Sequence, residues 1–217
     1  MGSVQVTARD VAAVGWLAAN RCAWVDDYGA CLAALVGRSG LGDRAVRLVV
    51  ARQVELGLVE RHRVWAGQPS VLTVTRRGAR LVGWQASSVS LPAITQLQHA
   101  CAISHVSLLT AGWGRWVSEA VVWRDYRQLP RKPDAILVTP TVGQVAVEVE
   151  LTCKTKDRTK RILLQLLANF PAVQFWCGSP QVVAHVGRVI DTQLLAAEAA
   201  RVQIHSIDSL INKGVLI

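Results

Sequence analysis

Three carboxylates and a lysine lie close together in the second half of the chain: Asp134, Glu148, Glu150 and Lys154. Lys132-Pro133-Asp134 leads into the apolar run Ala135 to Val138, residues 140–143 form a turn, and Val145 to Leu151 returns as a second extended segment. Side chains alternate along a strand, so Glu148 and Glu150 share a face, and a hairpin brings Asp134 beside them. Convergent carboxylates repel one another unless a divalent cation or neighbouring basic groups intervene. Pro-Asp followed about fourteen residues later by Glu-x-Lys is a pattern in which the acids hold Mg²⁺ and the lysine helps position a water for attack on phosphate. Glu148 follows Asp134 at that spacing, but Glu150 stands where the lysine belongs. Lys154 or Lys156, at the head of the basic run that continues through Arg158, Lys160 and Arg161, would have to supply the ammonium from a displaced position. Two readings stay open. In one, Asp134 and Glu148 bind Mg²⁺ or Mn²⁺ and, with Glu150 and Lys154, form the catalytic set of a DNA phosphodiesterase. In the other, the acids are structural, neutralised by the basic run, and no metal is needed.

A second set of residues suits binding rather than catalysis. Arg44 and Arg47 fall one turn apart in a segment, about 42–56, whose apolar residues recur at helical spacing. At about 100° per residue, Val46, Val50 and Val54 take one side of this helix, and Arg44, Arg47 and the small Ala51 the other. Arginine can grip guanine N7 and O6 with two donors, and a helix free on one face can enter a major groove. Downstream, residues 58–65 and 71–75 alternate enough to pair around the turn Ala66 to Ser70. Arg61 and Arg63, two apart, share a face of that hairpin and can lie along phosphates, as can His62. Thr75 then caps a helix carrying Arg76, Arg77 and Arg80. Lone arginine pairs on helices are commonly just solvated. The order of three helices, a two-stranded wing and another helix, with basic groups on the third helix and the wing, favours duplex-DNA binding by a winged helix-turn-helix domain.

These residues need a folded frame. A chain of 217 residues, 51% hydrophobic and 18% charged, can bury a core, and its composition is far from that of disordered chains. The formal charge of +9 fits a polyanion partner and equally a membrane surface. No acidic residue occurs between Glu60 and Glu119, a span holding Arg61, Arg63, Arg76, Arg77, Arg80 and Arg115. Five cysteines without a CxxC pair argue against a disulfide framework or zinc knuckle. Neither a signal peptide nor a good membrane span is indicated, so a cytoplasmic location without membrane association is expected. Thr7 can cap a first helix with Val11, Val14, Trp16 and Leu17 inward, and a second follows near residues 26–36. Serine-rich residues 85–92 suggest a linker, placing one domain at 1–85 and a second at 93–217. The second would contain a helix from Ala93, strands at 116–123, 135–138 and 145–151, a helix at 157–169, and a closing strand, helix and strand. The fold class is therefore α/β overall, in two domains.

The residues also resemble a known family, the replication-relaxation proteins of actinobacterial mobile elements. The matching stretches are Val54 to Ser70, Thr75 to Ala79, Arg131-Lys-Pro-Asp134, and Ala146 to Arg158 with its Glu-Val-Glu-Leu-Thr-Cys-Lys core. These stretches lie between residues 54 and 158, and the resemblance extends over nearly the whole chain. The resemblance implies DNA binding in the replication, transfer or transcription of a mobile element, and a restriction-endonuclease-like second domain with Asp134, Glu148, Glu150 and Lys154 at its site. Double-stranded DNA is the expected partner, self-association as a homodimer is a further expectation, and no cofactor is required for binding DNA.

Overall fold

A computed structural model describes residues 5–85 and 90–207, so part of the expected linker, residues 86–89, lies outside the described residues. The protein is mixed α/β and divides into two compact units, residues 1–108 and 109–217.

The first unit opens with α1 (Ala8–Asn20), capped by Thr7, whose side chain accepts from the Asp10 N–H while the Asp10 carboxylate accepts from the Thr7 N–H. Ala13, Val14, Leu17 and Ala18 face the core; Val11, expected inward, is 37% exposed. Then follow β1 (Cys22–Trp24), α2 (Val25–Ala34), α3 (Asp43–Glu55), β2 (Val59–His62), β3 (Val71–Val74) and α4 (Arg76–Leu81). Alternation along the chain indicates the β2–β3 hairpin but not β1, which is three residues long and leads straight into α2. It completes a sheet of order β1-β3-β2, antiparallel throughout. Gly57, at φ 65°, ends α3 in the left-handed conformation that glycine adopts without steric cost.

Helix α5 (Ile94–Leu109) was expected to open the second domain; instead it packs within the first. Its polar side chains explain why. Ser104 donates to the Cys22 carbonyl, His105 Nδ1 lies 2.8 Å from the Asp27 carboxylate, and Trp16 Nε1 donates to Ser107 at 3.1 Å. Sequence periodicity records that α5 has apolar residues but not which core they join.

The second unit runs β4 (Arg115–Ser118), α6 (Glu119–Asp125), β5 (Ala135–Thr139), β6 (Gly143–Glu150), α7 (Lys156–Leu167), β7 (Ala172–Cys177), α8 (Pro180–Gln193), α9 (Ala196–Ala199) and β8 (Val202–Ser206). The expected strand at 116–123 is half strand and half helix: beyond Ser118 the chain turns into α6, burying Val122 and leaving Trp123 59% exposed. The five strands order β4-β5-β6-β7-β8, antiparallel from β4 to β6 and parallel from β6 to β8. Residues from α7 and α8 cover the face that carries Ile136, Ala146, Val173 and Phe175, forming this unit's core.

Candidate functional site

The outer face of α3 is held in place from behind by a buried polar network. Its expected inward residues Val46 and Val50 are buried, but Val54 is 41% exposed and Gln53 takes the inward position, fully buried. Gln53 accepts from Tyr28 Oη at 2.8 Å and donates to Asp10 at 2.8 Å, while Arg52 pairs with the same Asp10 carboxylate. Burial pushes Asp10 up, but the hydrogen bonds from Thr7 and Gln53 and the Arg52 charge outweigh it, holding the group below its ordinary value. One carboxylate thus ties α1 to α3, and Tyr28 joins α2 to both. Sequence periodicity missed Gln53 because a glutamine with both amide ends satisfied can occupy a core position that pattern assigns to valine.

With α3 fixed this way, Arg44 and Arg47 point to solvent. Arg47 Nε donates to its own helix at the Asp43 carbonyl, 3.3 Å away. On the hairpin, Arg61 and Arg63 are exposed, and Arg61 Nε donates to Ser70 Oγ at 2.9 Å. Trp65 packs on Trp24 with ring centroids 5.7 Å apart, anchoring the hairpin connection against the start of α2. Two adjoining hollows result. One, about 320 Å³, is lined by both Arg47 and Arg61. The other, about 620 Å³, is lined by Arg61, Arg63, Trp65 and Gln68. Asp26 lines both and Asp43 the first, so the surface is cationic without being uniformly so. Asp43 opens α3 one turn before Arg47, whereas Asp26 belongs to α2 and reaches the hollow only through the fold.

Arg44 is exposed one turn away from this lining, and Arg76 and Arg77 are exposed at the start of α4. The structure therefore brings together Arg47, Arg61 and Arg63 of the six arginines singled out. Among the described residues none of the six is ion-paired to a carboxylate. His62, expected to face phosphate, turns inward and lies 2.8 Å from Thr73 Oγ1 on β3.

The carboxylate cluster of the second unit is differently built. Ala135 pairs with Val147, and one further step of that register sets Asp134 opposite Glu148. Asp134 Oδ2 accepts from the Val149 N–H at 2.8 Å, which fixes it at the mouth of the hairpin. Glu148 and Glu150 are both buried, 3% and 6% exposed, on the same face of β6. Arg131 pairs with Glu148 and Lys154 with Glu150. Burial and the Asp134 charge push Glu148 up to about 7, against the pull of Arg131 and Lys154. Burial pulls Lys154 down. Arg131, three residues before Asp134, belongs to the motif without a role legible from spacing; its pairing with Glu148 depends on the loop before β5, which strand periodicity does not describe.

All four residues of the expected catalytic set are thus neighbours, and the chain itself already engages each carboxylate, while Glu148 Oε2 is buried without a hydrogen-bond partner among the described residues. Mg²⁺ prefers near-octahedral oxygen coordination. Here one Glu148 oxygen is taken by Arg131, one Asp134 oxygen by a backbone N–H, and Glu150 by Lys154. Among the described residues no group of three or more His, Cys, Asp or Glu side chains gathers in a metal-holding arrangement. Two cations against three acids leave one negative charge, and a proton on Glu148 would remove it.

No protein-family model, no curated protein and no solved structure matches this chain.

Proposed function

We propose that the chain is a non-catalytic duplex-DNA-binding protein, a regulator or accessory factor for the replication, transfer or transcription of a mobile element. The first unit would act as a winged helix-turn-helix, with α3 in the major groove and the hairpin as its wing. The observation that carries this reading is that Arg47 of α3 and Arg61 of the hairpin line one hollow, continuous with Arg63, with no carboxylate partner for any of the three among the described residues. Arg44 and Arg47 would read base edges, and Arg61, Arg63, Arg76 and Arg77 would hold phosphates. Binding of this kind loses affinity by orders of magnitude between about 50 and 200 mM salt, because each neutralised phosphate releases counterions. Fluorescence anisotropy with a labelled duplex across that range tests it, and a flat response contradicts it.

A second reading rests on the proximity of Asp134, Glu148 and Lys154: a metal-dependent endonuclease on a restriction-endonuclease-like fold. The internal pairing of the cluster weighs against it. Incubation with supercoiled, linear and single-stranded DNA plus Mn²⁺ decides between the two. Nicking that Glu148→Gln abolishes would establish the enzyme, and intact substrate in every form supports the binder.

A further inference from the structure

On α3 the largest exposed apolar side chain is Leu48, 63% exposed, while Val46 and Val50 on the same helix are buried. At about 100° per residue Leu48 lies about 40° from Arg44, and Ala51 about 20° from Arg44 on the opposite side. Arg44, Arg47, Leu48 and Ala51 therefore form one exposed face, two guanidinium groups interleaved with two apolar side chains. Single exposed leucines are ordinary, but this one sits beside Arg44, at the edge of a face whose two arginines no carboxylate partners among the described residues. A purely electrostatic contact with phosphates would gain nothing from it. A surface that meets base edges would, because thymine presents a methyl group in the major groove to apolar side chains, beside the acceptors that guanine presents to arginine.

We propose that Leu48, supported by Ala51, contacts the 5-methyl group of thymine in the major groove. This rests on the DNA-binding reading above and adds a base to it. Arg44 and Leu48 are about 6 Å apart along the helix axis. That is roughly two base-pair steps. A preferred duplex therefore carries thymine within about two base pairs of the guanine that Arg44 or Arg47 reads. The positive charge of the flanking arginines and the wing selects a polyanion as occupant over an apolar protein partner. Two acids share this helix: Asp43, about 40° from Arg47 but about 140° from Leu48, and Glu55, about 10 Å further along from Leu48, away from the Arg44 end.

The test uses the full chain and a duplex recovered from a random-sequence library. Replacing each thymine in turn by uracil removes one methyl and leaves pairing intact. One or two positions should lose about fourfold in affinity, the weight of one buried methyl. Leu48→Ala should lose a similar factor on the thymine duplex and little more on the uracil duplex, with circular dichroism unchanged. Affinity indifferent to uracil at every position would overturn the assignment of Leu48 while leaving DNA binding intact. So would additive losses from Leu48→Ala and uracil, or sedimentation showing that Leu48→Ala disrupts self-association with uracil still silent. Failure to recover any duplex would overturn both readings together.

Discussion

The groove beside α3 and the carboxylate cluster on β6 are both rich in charge, yet they dispose of it in opposite ways. Arg47, Arg61 and Arg63 are exposed and have no carboxylate partner among the described residues. Glu148 and Glu150 are buried, each paired with a cation from its own unit. Charge kept in water costs little and attracts a partner, whereas charge taken into a core must be compensated on the spot or neutralised by a proton. The first region therefore leaves its charge open to solvent, and the second compensates its charge within the end of the central strand β6.

The sharpest break of this contrast is charge reversal in the groove. Replacing Arg47 and Arg61 together by Glu should cost about 2–6 kcal/mol of DNA affinity, measured by anisotropy. The unfolding midpoint should correspond to a change within about 0.5 kcal/mol, as for other exposed substitutions. A large loss of stability would mean that these side chains are structural after all.

Next comes the pH dependence of the buried cluster. Between the ordinary glutamate value and about 7, folded Glu148 keeps its proton while the unfolded chain has lost it. Stability therefore falls as pH rises through that window, by roughly 3 kcal/mol once pH exceeds the folded value. Glu148→Gln should flatten the decline in urea midpoints between about pH 5 and 8, and leave DNA affinity unchanged.

A smaller effect probes the link between the buried and exposed parts of the first unit. Gln53→Ala leaves Tyr28 Oη and Asp10 each short of a partner, at a cost of about 1–3 kcal/mol. Because the network sets the pose of α3, base preference should weaken along with stability. The smallest is Arg47→Ala alone, which should relax selectivity at one base pair by about 1–3 kcal/mol rather than lower affinity for all sequences equally.

Much of this contrast was legible in the residues. Thr7 and Thr75 capped the helices they were expected to cap, and the spacing of Arg44 and Arg47 placed them on the solvent face of α3. Period-two alternation put Glu148 and Glu150 on one face of a hairpin partner to Asp134. What escaped depends on contacts distant in sequence. Strand β1 exists because Cys22 to Trp24 finds β3 some fifty residues later. Helix α5 joins the first unit through Ser104 and His105, whose partners lie near Cys22 and Asp27. Arg131 neutralises Glu148 only because a loop folds it back, and no local pattern encodes that.

The most direct measurement compares salt slopes. Affinity for one duplex is titrated against salt for the unmodified chain, for Arg47→Ala/Arg61→Ala/Arg63→Ala, and for Glu148→Gln/Lys154→Ala. Each lost phosphate contact lowers the slope by about one. The triple variant should thus lose up to about three, fewer if Arg47 reads a base, and the second-unit variant should match the unmodified chain. An unchanged slope in the triple variant, or a loss confined to the Glu148 and Lys154 variant, would place the binding surface elsewhere and contradict the account.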